Sequence, residues 1–331
     1  MTIRAKFERT AFALCFAATT LAMPASAQET WVMASGYPED SFFTKTIRQF
    51  IEEVETAADG ELTIDLRPNG ELIKLDAIRR AVQSGQVQLG EIRFGVYGNE
   101  SPMYTLDSLP GLASDYEEAH RLMEAQAPWF DAAFADMGLE VLTYMAWPGQ
   151  GFFTNFEVTD GSEFEGVSLR IYSPATQRLG ELLGFDATIL PFAEVPQAFS
   201  TGLIESLFTS AQTGNDIQAW DYVDHFTYTG TSLSKNAIIV NARALSRLSP
   251  ELQQAIRDAG ARATETAWTL SQEAADATVQ VLVDNGMSVA DGSPELQAKI
   301  EEISGQMLEE FRGEADEDEI AVLDAYLASS E

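Results

Sequence analysis

The sequence predicts an α/β fold built on mostly parallel β-structure. Three observations carry this expectation. The first strands and helices alternate as β-α-β-α-β, an order that implies right-handed crossovers. Hydrophobic residues make up 45% and charged residues 22% of the 331 positions, a globular composition and not a disordered one. No low-complexity linker divides the chain, and a strand returns after an inserted segment, so it forms one discontinuous body.

The elements follow in order. Thr30–Ser35 is a strand, and Phe43–Ala58 is a helix with Ile47, Phe50, Ile51 and Val54 on one face and Gly60 as its stop. Glu61–Leu66 alternates strictly and forms the second strand. Asp76–Ser84 is helical, and Val87–Ile92 is the third strand. Ser114 to Glu117 fits a capping box and opens a helix to about Ala127. Strands are expected at Leu139–Met145, Gly166–Tyr172, Leu203–Thr209 and Ala237–Asn241, with helices at Pro174–Leu183 and Glu194–Gly202. Ser-Pro-Glu-Leu occurs at Ser249 and again at Ser293, with Ser capping, Pro in the first turn and Glu at the positive end. The first copy opens a helix to about Asp284, roughly 50 Å long, with Gly260 placed to bend it. The acidic run Glu314–Glu319 has no glycine where a calcium loop needs one and is expected to be a solvated turn.

The N-terminus is a processing segment. Arg4, Lys6 and Arg9 precede the apolar stretch Ala11–Ala22, and Ala25-Ser26-Ala27 supplies a cleavage site. Residues 1–27 are therefore expected to be a cleaved signal peptide, which sends the chain to the periplasm. Cleavage also removes Cys15, the only cysteine, so no disulfide or thiol chemistry is expected. The remainder carries 17 Lys+Arg against 51 Asp+Glu, a net charge of −34. Such a balance excludes nucleic acid and anionic membrane surfaces as partners. No later apolar run reaches transmembrane length.

Catalytic motifs are missing. The chain has no G-x-S-x-G, H-E-x-x-H, Walker A or G-x-G-x-x-G pattern, and only His120 and His225 supply imidazoles. No enzyme, cofactor or metal site is expected. The informative stretch is Gly149–Ser210, where Arg170 ends an apolar strand. A guanidinium held there can grip a carboxylate in a bidentate pair, or can bridge to one of the many surface acids.

Landmarks along the whole mature chain decide between these. Asn69-Gly70-Glu71-Leu72, Ser84–Ile92, Leu109-Pro110, Phe164–Arg170, Ala198–Glu205, Val240-Asn241 and Leu248–Leu252 occur in the order found in TRAP transporter solute-binding proteins, the DctP family, which the chain resembles over about 300 residues. The resemblance implies a two-lobe periplasmic binding protein with mostly parallel sheets, a ligand cleft between the lobes and a long interdomain helix. It places lobe one in 28–150, the core of lobe two in 151–235, and elements shared by both in 236–331. It also implies that Arg170 grips the ligand carboxylate, with Gln150, Ser173 and Ser210 at the polar positions and Phe192 packing on the ligand. Tyr37, Glu91, Arg93 and Asn236 are the candidates from the first lobe. Sialic-acid binders of the family carry Arg at position 150 and Asn at positions 173 and 210; this chain has Gln150, Ser173 and Ser210. With one sure cation and few hydroxyl readers, the expected ligand is a small, rather apolar monocarboxylate, an aromatic or branched 2-oxo acid. The expected partners are that organic acid and the TRAP membrane subunits, served by a monomer. A binding protein for another import or sensing system, or an exported hydrolase, is the alternative.

Overall fold

The computed structural model describes residues 28–329, so the signal peptide expected over 1–27 lies outside the described residues. The strands are β1 (Glu29–Ala34), β2 (Leu62–Arg67), β3 (Leu89–Arg93), β4 (Leu139–Ala146), β5 (Gln150–Thr154), β6 (Ser168–Ile171), β7 (Asp186–Ile189), β8 (Ser206–Ser210), β9 (His225–Tyr228), β10 (Lys235–Asn241) and β11 (Ser288–Asp291). The helices are α1 (Phe42–Ala58), α2 (Ile78–Ser84), α3 (Tyr116–Asp136), α4 (Pro174–Leu183), α5 (Val195–Ser200), α6 (Ala211–Asp216), α7 (Ala242–Leu245), α8 (Pro250–Asp284), α9 (Pro294–Glu314) and α10 (Glu317–Ala328).

Two sheets define two lobes. The first has the order β2-β1-β3-β10-β4 and the second β11-β9-β5-β8-β6-β7. In each, one strand runs against the rest: β10 in the first and β5 in the second. Both are strands the chain lays down as it changes lobes. It leaves the first sheet after β4, enters the second at β5, and comes back from β9 to β10. The crossings are tied together where they pass, as Trp147 N donates to Ser234 O at 2.8 Å and the Gln150 carbonyl accepts from Gly230 N at 2.9 Å. Lys235, fully buried at the start of β10, sits 3.1 Å from the Asp107 carboxylate.

The periodic helices form where the sequence predicts them. Ile47, Phe50 and Val54 of α1 pack on the first sheet with Ile256 and Ala263 of α8. Ser249 and Ser293 cap α8 and α9, accepting from Leu252 N at 3.1 Å and Leu296 N at 3.0 Å. Helix α8 also covers the free edge of β4. Tyr144 N donates to Thr264 Oγ1 at 3.2 Å, and the Tyr144 carbonyl accepts from Trp268 Nε1 at 3.0 Å. Edge groups that would otherwise invite another strand are satisfied inside the chain.

Several expectations are corrected. Asp115, not Ser114, caps α3, and the helix runs past Pro128 to Asp136. Asp59, in the left-handed region, is the cap that ends α1, one residue before Gly60. The acidic run is not a solvated turn. Asp316 and Glu319 form a capping box at the start of α10, and Glu319 is buried against Ser101. Strands β5, β7, β9 and β11 are additions to the sequence reading; β7 and β11 are short outer strands with little apolar alternation.

Gly260 has a different role from the expected bend. A Cβ there would collide with the Leu142 carbonyl oxygen, so the glycine lets α8 lie directly on β4. Gly260→Ala is expected to destabilise the protein by about 1–3 kcal/mol through overpacking, despite about 1 kcal/mol of improved helix propensity. Thermal unfolding should show a midpoint lowered by about 2–5 °C; an unchanged or raised midpoint would refute the close approach.

Candidate functional site

Strand alternation places the site. Residues two apart on a strand share a face, so β3 presents Glu91 and Arg93 together, and the segment from β6 presents Arg170 and Tyr172. Strand β10 pairs Asn236 with Arg93. These three segments bring the polar groups of both lobes to one cavity of about 310 Å³, lined by Arg93, Arg170, Tyr172, Ser173, Leu190 and Phe192 among others. That is near the lower end of small-molecule sites. A larger surface cavity of about 410 Å³ beside α4 and α9 holds none of the candidate residues as its wall except the neighbourhood of Pro174. Its arginine, Arg178, is already paired with Glu310 at 2.7 Å.

Two guanidiniums dominate the cleft. Arg170 is 2% exposed, and its Nε donates to the Leu190 carbonyl at 3.1 Å. That bond fixes the direction of the guanidinium. Arg93, 8% exposed, lies 3.5 Å over the Tyr172 ring and donates weakly to Ser234 Oγ at 3.4 Å. Neither is paired with a carboxylate among the described residues. Burial first, then the like charge of Arg93, bring the Arg170 pKa down to about 9. A buried cation in this state gains from any anion that enters.

Beside Arg93 in the first lobe lies a buried hydrogen-bonded cluster. Glu91, fully buried, accepts from Asn236 Nδ2 at 2.9 Å and from Ser35 Oγ. Asn236 Oδ1 in turn accepts from Trp147 Nε1 at 2.8 Å. Burial raises the Glu91 pKa to about 7, against the lowering effect of its two donors. Tyr37 packs on Trp147 and Phe192 with ring centroids 5.2 and 5.5 Å away. Burial also pushes its phenol well above the usual range.

The remaining candidates are held by the protein itself. Gln150 donates to the Pro148 carbonyl at 2.6 Å and accepts from Tyr172 Oη at 3.1 Å, so it joins the crossing between lobes to the ring under Arg93. Ser173 caps α4, accepting from Thr176 N at 3.3 Å, and lines the cavity. Ser210 caps α6, accepting from Thr213 N at 3.3 Å, and is paired with Gln150 across β5 and β8. Tyr172 was not singled out in the sequence. The signal was present, since it lies two residues beyond Arg170 in a strand. Of the aromatics near Arg170 in sequence, Phe152 and Phe208 pack into the core with Phe164 and Phe185, and Trp147 is buried in the core of the first lobe, whereas Phe192 lines the cavity.

Two lobes, joined by three passages of the chain and meeting at a cationic cavity, define a solute-binding protein. Among the described residues no group of acids, histidines or cysteines could hold a metal, and no helix is long and apolar enough to cross a membrane. The chain belongs to the bacterial extracellular solute-binding proteins, family 7, the DctP family, which it matches over residues 33–314. Members of this family are substrate-binding proteins. Among solved structures, DctP6 of Bordetella pertussis, a receptor binding pyroglutamic acid, is 37% identical with a TM-score of 0.88, covering 91% of this chain and 100% of that one. DctP7 of the same organism, which also binds pyroglutamic acid, is 35% identical with a TM-score of 0.88, covering 90% and 99%. A TRAP solute-binding protein specific for pyroglutamate, from an unidentified marine microbe, is 31% identical with a TM-score of 0.88, covering 91% and 99%.

The buried carboxyl of Glu91 sets a pH dependence. In the unfolded chain it titrates near 4.5, and in the fold near 7, so between these values the folded state holds the extra proton. Stability then falls as pH rises through that window and levels off above it. Asp216, pushed up to about 7 chiefly by burial, acts in the same direction. Urea unfolding at about pH 5 and about pH 8 should show that Glu91→Gln removes about 1–3 kcal/mol of the loss seen in the wild type. An equal loss in both proteins would show that Glu91 is ionised throughout.

Proposed function

We propose that this chain is a periplasmic receptor that captures a small monocarboxylate of the pyroglutamate kind between its lobes and delivers it to the membrane subunits of a TRAP transporter. The observation that carries the reading is the Arg170 guanidinium, buried, aimed by the Leu190 carbonyl and free of any carboxylate partner among the described residues. In this reading Arg170 forms the bidentate pair with the ligand carboxylate. Arg93 is engaged with Tyr172 and Ser234 and serves as a positive background. One directed fork suits one carboxylate, which favours a monoanion over a dicarboxylate.

Three solved relatives above 30% identity that bind pyroglutamate support a compact cyclic acid. The small cavity does so too, and the ligand narrows from the aromatic or branched oxo acid expected from sequence. Pyroglutamate carries one carboxylate, one N–H donor and one carbonyl acceptor, and needs few hydroxyl readers. Phe192 and Leu190 offer its ring an apolar wall.

Titration calorimetry with pyroglutamate, phenylpyruvate, malate and glucuronate tests this. Pyroglutamate should bind 1:1 and be recovered chemically unchanged; binding of malate or glucuronate without pyroglutamate would sink the proposal. Arg170→Ala should leave the fold intact and weaken binding by about 2–5 kcal/mol, roughly 30- to 4000-fold. Arg170→Lys should restore only part of the affinity, since an ammonium lacks the planar fork. Wild-type affinity in Arg170→Ala would remove Arg170 as the anchor.

A further inference from the structure

The cavity is roofed where the two lobes touch. The single helical turn Phe94–Tyr97 after β3 meets the start of α4, and there Gly95 faces Ser173. Both residues line the cavity. A Cβ on Gly95 would lie 3.2 Å from Ser173 Cβ and 3.8 Å from Ser173 Oγ, and no other atom beyond its chain neighbours lies within 4 Å. The space of the missing side chain is thus filled by the opposite lobe alone. Gly95 is not among the residues with positive φ, so a side chain is conformationally admissible there. Gly98, three residues on, differs: a Cβ there would lie 2.5 Å from Thr105 Cγ2, so a substitution would disturb more than the contact with Pro174.

We propose that Gly95 is a positioning residue that sets how far the lobes close, the absent side chain being what lets Ser173 seat against the turn. This rests on the reading that the cleft closes on a carboxylate. A side chain at Gly95 raises the free energy of the closed form and leaves the open form unchanged. The apparent affinity then falls by the fraction of closed state that is lost. A methyl group asks the seam to give by a few tenths of an ångström, and a branched side chain asks for more. The effect is therefore graded with size.

The test is titration calorimetry with pyroglutamate on the full chain, paired with small-angle X-ray scattering with and without it. Gly95→Ala should weaken binding roughly 3- to 10-fold and Gly95→Val roughly 10- to 100-fold. The unliganded melting temperature should be unchanged, and compaction on adding ligand should be smaller. Ser173→Gly removes both facing atoms, and glycine is nearly as good an N-cap as serine. Combined with Gly95→Val it should recover most of the lost affinity, which a merely structural role for Gly95 would not produce. Wild-type affinity in Gly95→Val, or strictly additive losses in the pair, would overturn the seam while leaving the ligand reading intact. A wild type that neither binds pyroglutamate nor compacts with it overturns the ligand reading, and the seam with it.

Discussion

Two like charges sharing one aromatic ring are the constraint around which the cleft is arranged. The Arg93 and Arg170 guanidiniums lie 3.5 and 5.7 Å from the Tyr172 ring, in a space that excludes most water. Left alone they repel, and each has given up hydration. The ring face, the Leu190 carbonyl and the Ser234 hydroxyl offset part of that cost. The rest stays unmet, and the unmet part is what makes the cleft receptive to an anion. Glu91 does not cancel it. Its two oxygens are taken by Ser35 and Asn236, and burial favours its neutral form.

The surroundings hold this arrangement in register. Tyr172 is fixed from below by Gln150, whose amide is anchored on the Pro148 carbonyl where the chain passes between lobes. The ring that steadies Arg93 is thus attached to the crossing segment itself. A shift of the crossing moves the ring, and with it the cation. In the proposed reading, recognition and lobe movement share atoms here, as hinge and site do in binding proteins that close on their ligand. Apart from Asp76, which lines the cavity, the acids that give a net charge of −34 beyond residue 27 are screened within about 8 Å at physiological salt.

Much of the fold was legible because its elements are locally consistent. Helices α4, α8 and α9 carry both periodicity and caps, α1 carries periodicity, and β1, β2 and β3 alternate or run apolar. What stayed hidden depends on contacts distant in sequence. Glu319 looks like a surface acid until Ser101, more than two hundred residues away, is placed beside it. Gly260 looks like a weak point in a helix until β4 lies under it. In the site, Arg170 and Phe192 stood out by their strand-end and aromatic chemistry. Tyr172 did not, because a tyrosine in an apolar strand is usually core, and only the partner lobe's Arg93 gives it another use.

The reversed strand β10 carries a consequence for how the chain folds. It lies between β3 and β4, yet it is made about a hundred residues after β4. Until Lys235–Asn241 exist, the first sheet is only the three strands β2-β1-β3 and the lone strand β4, with facing unpaired edges. Both registers of β10 are distant in sequence, a topology of high contact order whose closure entropy precedes its reward. The interval between synthesis of β4 and arrival of β10 is therefore the period of greatest exposure to wrong pairing. A chain cut short before Lys235 would lose not a peripheral strand but an interior one.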